Sequence, residues 1–186
     1  MLKINFEPFP ILETTRLILR RITIDDVNEV FELRSNPETM KYIPRPLVKK
    51  NEEALNHIAL IDSKIVNNEG INWAITLKGS PKFIGIIGHY CIKPEHFRAE
   101  IGYMILPQYH GKGIATEAIK CAVDYGFNQM GLHSIEAVID PRNFASEKVL
   151  QKNGFRKEAH LIENEYYEGT FLDTAIYSLL KINFKK

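Results

Sequence analysis

Cysteine is scarce in this sequence: Cys91 and Cys121 are the only two in 186 residues. With no CxxC pair and no Cys/His spacing suited to zinc, neither a disulfide framework nor a metal site is expected, and two reduced core thiols are the simpler reading. Long apolar runs are missing too. No stretch approaches the roughly 20 apolar residues of a membrane span, and Pro8 and Pro10 interrupt the N-terminal segment before any leader-like run. A cytoplasmic protein with no membrane partner is therefore expected. Charge of one sign is also lacking, since Lys and Arg total 24 against 23 acids for a net charge of +1. That balance excludes general attraction to nucleic acid or anionic lipid. No repeat, low-complexity tract or linker breaks the chain.

What is present suits one packed unit. With 45% hydrophobic and 25% charged residues, residues 1–186 are expected to form a single domain, a monomer or homodimer, burying roughly 70% of the unfolded surface. "RLILRRI" (16–22) alternates as a strand does, with Leu17 and Leu19 on one face. Thr23 with Asp26 imitates a capping box before a helix carrying Val27, Val30 and Phe31, which Asn36-Pro37 closes. A second helix covers roughly Glu52 to Val66. Strands follow at 71–77, 82–92 and 98–106, joined by connections short enough for an antiparallel meander. Ile114 to Met130 carries an apolar helical face, with Gly131 as its stop. A strand at 134–139, a short helix between Asn143 and Gly154, and strands near 155–162 and 171–181 complete the chain.

One stretch asks for a ligand. In "PQYHGKGIATE" (107–117) a strand ends in a loop whose glycines, Gly111 and Gly113, open a helix. Small residues there leave backbone N–H groups unpaired, with the positive end of the helix dipole behind them. A diphosphate can then approach the main chain without meeting Cβ atoms. The spacing does not fit a triphosphate loop, which needs GxxxxGK[ST]. It fits a dinucleotide fingerprint poorly, because Thr116 stands where the third glycine should be. A bare turn is the structural alternative.

Gln108, Gly111 and Gly113 together form QxxGxG, which resembles the acetyl-coenzyme A (acetyl-CoA) loop of the GNAT superfamily of N-acetyltransferases. "NFASEKVLQKNGF" (143–155) resembles a second superfamily motif, an asparagine before a short helix that finishes in Gly-Phe. The likeness runs over nearly the whole chain, through "LETTRLILRRITIDDVNEVFEL", "NWAI", "AEIGYMILPQYHGKGIATEA" and "YYEGTFLDTAIYSLL". It is nearest to the Rim-type branch that acetylates alanine or serine at the N-termini of ribosomal proteins. The resemblance implies an α/β (α+β) fold, with a mixed, strongly bent central sheet, helices on both faces and a splayed strand pair at 98–106 and 134–139.

The resemblance also implies a chemistry: direct acetyl transfer from acetyl-CoA to a primary amine, with CoA as product and no metal. The cofactor would lie along Met104, Ile105 and Leu106, then Gln108, His110, Gly111, Lys112, Gly113, Ile114 and Ala115, with Asn143 and Ser146 beside its thiol. The Ile105 N–H would face the oxyanion. Many superfamily members carry a tyrosine seven residues beyond the motif asparagine; this chain has Leu150, so the proton donor implied is Ser146. Glu100 and His89 are the candidate bases. Tyr166, Tyr167 and Asp173, in the final hairpin, would meet the amine acceptor, implied to be a ribosomal protein N-terminus. Most of these residues also have plain structural roles open to them: a cap for Asn143, strand packing for the tyrosines, solvation for Glu100 and Lys112. Three other functions stay open: polyamine or aminoglycoside acetylation, CoA binding without turnover, and a dinucleotide-dependent oxidoreductase.

Overall fold

The structure is a computed structural model that describes residue 2 and residues 4–185. Its strands are β1 (Leu12–Glu13), β2 (Leu17–Arg21), β3 (Ile71–Leu77), β4 (Phe83–Lys93), β5 (Arg98–Ile105), β6 (Ser134–Ile139), β7 (Arg156–Tyr167) and β8 (Thr170–Leu180). They join in one eight-stranded sheet in the order β1-β2-β3-β4-β5-β6-β8-β7. Leu17 and Leu19 are fully buried, as their alternation requires. β3 is buried on both faces, which is why "INWAITL" reads as a nearly continuous apolar run. The meander from β2 through β5 is antiparallel throughout. A bulge at the far end of the β4–β5 ladder, where Cys91 takes a φ of 44°, adds local bend.

Helices α1 (Val27–Ser35), α2 (Pro37–Met40) and α3 (Asn51–Val66) cover one face; α4 (Ile114–Asn128) and α5 (Phe144–Lys152) cover the other. The face of α4 expected from its sequence is the buried one, through Ile114, Ala118, Ile119, Ala122 and Val123. It packs on Trp73, whose ring meets Tyr125 edge-on at 5.2 Å.

Some boundaries differ from expectation, each for a local reason. Asn36 does not simply end a helix: its side chain accepts from the Glu38 and Thr39 N–H groups and starts α2, with Pro37 in the first turn. The helix expected from Thr23 begins as a 3-10 turn at Ile24–Asp26, where the Asp26 carboxylate accepts from the Thr23 N–H and is held by Arg20 at 2.6 and 2.8 Å. β7 runs on to Tyr167, beyond the expected 162, while β8 lies within one residue of the expected 171–181; the two turn at Glu168 and Gly169, both with positive φ.

β4 and β5 approach closely at Gly85. An alanine Cβ there would stand 2.5 Å from the Met104 carbonyl oxygen and 3.1 Å from the Ile105 Cα, both backbone atoms. Gly85→Ala is therefore expected to cost about 3 kcal/mol, a fall in melting temperature of roughly 6–12 °C. A shift under about 2 °C in a thermal melt would contradict this packing.

Candidate active site

β5 and β6 are the parallel neighbours in the sheet, and they pair only at Arg98 with Ser134, Ala99 with Ile135 and Glu100 with Glu136. Beyond Glu100 both strands continue without pairing, to Ile105 and to Ile139. A wedge therefore opens between them. Which backbone groups line it follows from strand alternation. The Leu106 N–H donates to Ile84 of β4 at 3.0 Å, so Leu106 and Met104 face β4 while Tyr103 and Ile105 face the wedge. This corrects the expected set: Met104 and Leu106 have no main-chain groups to offer a ligand there, and Tyr103 joins Ile105. The Ile105 carbonyl is already taken, by His110 Nε2 at 2.7 Å.

The glycine loop sits at the open end of the wedge. Gly111 and Gly113 take φ values of 72° and 75°, and nothing lies within 4 Å of where a Cβ on Gly111 would stand. The His110 N–H donates to Pro107 O at 3.0 Å, so the free donors begin one residue later than expected. The amides of Gly111, Lys112, Gly113, Ile114 and Ala115 have no acceptor among the described residues. Five outward donors on a cradle open to solvent fit a diphosphate. The Lys112 ammonium folds back onto Gln108 O at 2.8 Å, and the Gln108 side chain reaches Glu32 of α1.

A clamp absent from the sequence reading fixes this loop. Glu117, in the first turn of α4, accepts from Thr14 Oγ1 at 2.5 Å, from the Arg16 N–H at 2.9 Å and from Arg16 Nε at 2.6 Å. Arg16 also donates to Lys112 O at 3.0 Å. The lead into β2 is thereby tied to the loop, and a second cation stands beside the cradle.

On the α5 side of the wedge, Asn143 accepts the Ser146 N–H at 3.0 Å, and the Ser146 hydroxyl lies 2.7 Å from the Tyr103 hydroxyl. Leu150 is fully buried in the core. A tyrosine on β5 thus stands beside the Ser146 hydroxyl of α5. Burial pushes the Tyr103 phenol up to about 12, against the lowering effect of its bond to Ser146.

Glu100 lies on the opposite face, at the apex of the wedge. Burial chiefly, with the Glu136 carboxylate beside it, raises its carboxyl above the usual range, while a bond from Cys91 opposes the rise. Glu136 is itself neutralised by Arg98 at 2.6 Å. His89 does not border the wedge as expected: it is fully buried, its Nε2 is 2.9 Å from Ala122 O of α4, and burial pushes its pKa down to about 4. A core imidazole with no route to solvent is no candidate for proton exchange.

A cleft of about 710 Å³ opens at the end of β6, walled by the α2–α3 connection and the β7–β8 hairpin; Glu100 does not line it, but Arg45 of its wall acts on the Glu100 carboxyl. Tyr167 and Asp173 line the cleft. Tyr166 points away and stacks on Phe171 at 5.0 Å, so it is packing rather than cleft wall. Asp173 already accepts from the Glu163 N–H at 2.9 Å and meets His160 at 2.7 Å, bonds that hold its carboxyl below the usual range.

Residues 16–156 match the family described as an acetyltransferase (GNAT) domain. YoaA of Bacillus subtilis, an uncharacterized N-acetyltransferase, is 40% identical over 173 residues, covering 93% of this chain and 98% of its own. Among solved structures, a GNAT-family acetyltransferase from Bacillus anthracis has a TM-score of 0.81 at 30% identity, covering 92% of this chain and 98% of its own. The spermidine N-acetyltransferase from Vibrio cholerae, in complex with CoA and spermine, has a TM-score of 0.81 at 25% identity, covering 91% and 98%. Removal of the loop clamp by Glu117→Ala is expected to weaken CoA binding about tenfold, measured by calorimetry; unchanged affinity would show that the loop holds its shape without it. The match over most of its length places the chain in the GNAT family, as an N-acetyltransferase that takes its acetyl group from acetyl-CoA.

Proposed function

We propose that the acceptor is the N-terminal α-amine of a protein, such as a ribosomal protein, which sets the reaction in the cytoplasm. The observation that carries this reading is the charge balance of the cleft. Lys41, Arg45, Lys49 and Arg142 stand against Asp140, Glu165, Glu168 and Asp173. Of these acids, Asp140 is bound by Arg142 at 2.6 Å and Asp173 is engaged within its own hairpin. A polycation needs a surplus of free carboxylates, and the walls offer no surplus: Glu165 and Glu168 remain against Lys41, Arg45 and Lys49. An α-amine also has the more favourable basicity, with a reference pKa near 8 against about 10.4 for lysine, so more of it is neutral at pH 7. Spermidine acetylation is the second reading, favoured by the likeness to the Vibrio cholerae enzyme solved with spermine.

Acetyl-CoA, when bound, supplies a thioester activated toward nucleophiles. The chain's own groups then divide the work between the two faces of the sheet. On the acceptor face, Glu100 accepts the proton that the attacking amine must lose, directly or through a water. At the wedge, the Ile105 N–H points at the developing oxyanion. On the α5 face, the Ser146 hydroxyl donates toward the sulfur as the C–S bond breaks, and Tyr103 holds that hydroxyl in place. No side chain needs to cross the sheet, because the unpaired strands leave a passage.

The identity of the acceptor is tested by thiol release from acetyl-CoA with a free N-terminal peptide, the same peptide blocked at its terminus but carrying a lysine, and spermidine. The free peptide is expected to be used and the others not; preference for spermidine would establish the second reading. Ser146→Ala is expected to lower kcat by about ten- to hundredfold, and Tyr103→Phe by less.

The role of Glu100 as a base fixes the sign of the pH dependence of the rate, and its raised pKa moves that dependence to higher pH. The carboxylate form is the active base, so the rate should fall as pH drops through a value above 4.5, the model-compound pKa of Glu. Cys91, Glu136, Lys93 and Arg45 all act on this carboxyl, and none supplies that limb in Glu100→Gln, where it should vanish. Stability should move the other way. A carboxyl whose folded pKa is raised contributes stability only at low pH and loses it as pH rises through that pKa. Glu100→Gln should therefore melt no lower than the parent chain at pH 7; a clear fall would assign Glu100 a structural role.

A further inference from the structure

Two guanidinium groups beside the cleft have no partner. Of the four half-buried arginines, Arg20, Arg21 and Arg98 each bind a carboxylate at 2.6 Å. The fourth, Arg34 near the end of α1, binds none, and its Nε is buried without a hydrogen bond. Arg45, exposed on the cleft wall, likewise has no ion pair among the described residues. Leaving a buried guanidinium N–H unpaired is costly, and a second cation nearby adds repulsion. Burial first, then Arg45, lowers the pKa of Arg34; Tyr90 alone opposes this, and no carboxylate does. His57 adds no counter-charge: burial, then Arg34, pushes it down to about 4. Glu53, the acid that lines the groove, accepts from the Lys49 N–H at 2.8 Å and forms no ion pair with Arg34.

Their position relates them to the reaction. Arg34 lines a groove that shares Pro46, Leu47 and Lys49 with the main cleft. Tyr90 stands directly opposite Glu100 on the neighbouring strand, and its hydroxyl lies within electrostatic reach of both Glu100 and Arg34. The two guanidinium groups thus stand on adjoining grooves, and Arg45 in turn acts on Glu100, the base of the proposed reaction.

We propose that Arg34 and Arg45 hold a carboxylate of the acceptor, carried close to its amine. This rests on the reading of the cleft as the acceptor site and adds a carboxylate to the amine that it takes. The substrate class is an α-amino acid or a peptide N-terminus with an acidic second residue, and polycations are repelled. Guanidinium suits the task, since its planar N–H fork pairs with a carboxylate through two parallel bonds.

The test compares matched ligands that differ only in the carboxylate, bound to the CoA-loaded protein and measured by calorimetry. One pair is N-acetylalanine and its amide; the other is acetyl-Ala-Asp-amide and acetyl-Ala-Asn-amide. In at least one pair the carboxylate form is expected to bind about tenfold tighter or more, and which pair does so tells a free amino acid from an acidic peptide. The preference should shrink to less than about threefold in both Arg34→Met and Arg45→Gln. Arg45 is exposed, so its substitution leaves the fold intact even if Arg34→Met lowers the melting temperature. Equal binding within both pairs, or a preference that survives both substitutions, would overturn the proposal. A carboxylate preference without acetyl transfer to any amine would uphold the subsite and remove the acceptor assignment of the cleft instead.

Discussion

The end of strand pairing at Glu100 and Glu136 is the constraint on which the rest of the structure depends. In a closed sheet every inner strand spends its N–H and C=O groups on both neighbours, and the two faces are sealed from each other. Here β5 keeps its bonds to β4 along its length but loses those to β6 after one turn of the ladder. Tyr103 is left with both main-chain groups unpaired and Ile105 with its N–H, its carbonyl being held by His110. A ligand backbone of alternating donors and acceptors can complete that edge as a strand would. The wedge also joins the two faces, so a proton acceptor on one side and hydroxyl donors on the other can act on the same group.

The glycine loop depends on the same geometry, because it follows directly from the free end of β5. Gly113 caps α4 in the left-handed region, which turns the first amides of the helix outward. Such a turn is soft on its own. Glu117 stiffens it by collecting Thr14 and Arg16 from the far edge of the sheet, so that the anion cradle and the wedge are held at a fixed distance by covalent chain and by the clamp. Arg16 and Lys112 stand close to the cradle, where Glu117 is engaged by the clamp.

Much of this could be read from the sequence where local chemistry decides. The helical period from Ile114, the alternation of "RLILRRI", the capping asparagine at 143 and the paired glycines all act through neighbours a few residues away. What failed was what depends on direction across the sheet. Met104 and Leu106 look equivalent to Ile105 in the sequence, and only the register of β5 against β4 shows that they turn from the wedge. His89 sits on a strand beside the site, yet its face carries it into α4. Tyr103 went unnoticed because its partner, Ser146, lies 43 positions away. Arg34 gave no signal at all, since a missing partner has no motif.

The most direct measurement of the central claim is residue-resolved amide hydrogen exchange at Tyr103 and Ile105, in the free protein and with CoA. Both amides lie within a strand, where slow exchange is the rule. An open wedge predicts that they exchange rapidly in the free protein and slow by about tenfold or more with CoA, together with Gly111 to Ala115. If they are protected before any ligand is added, β5 and β6 are paired to their ends, and the account of this site is wrong.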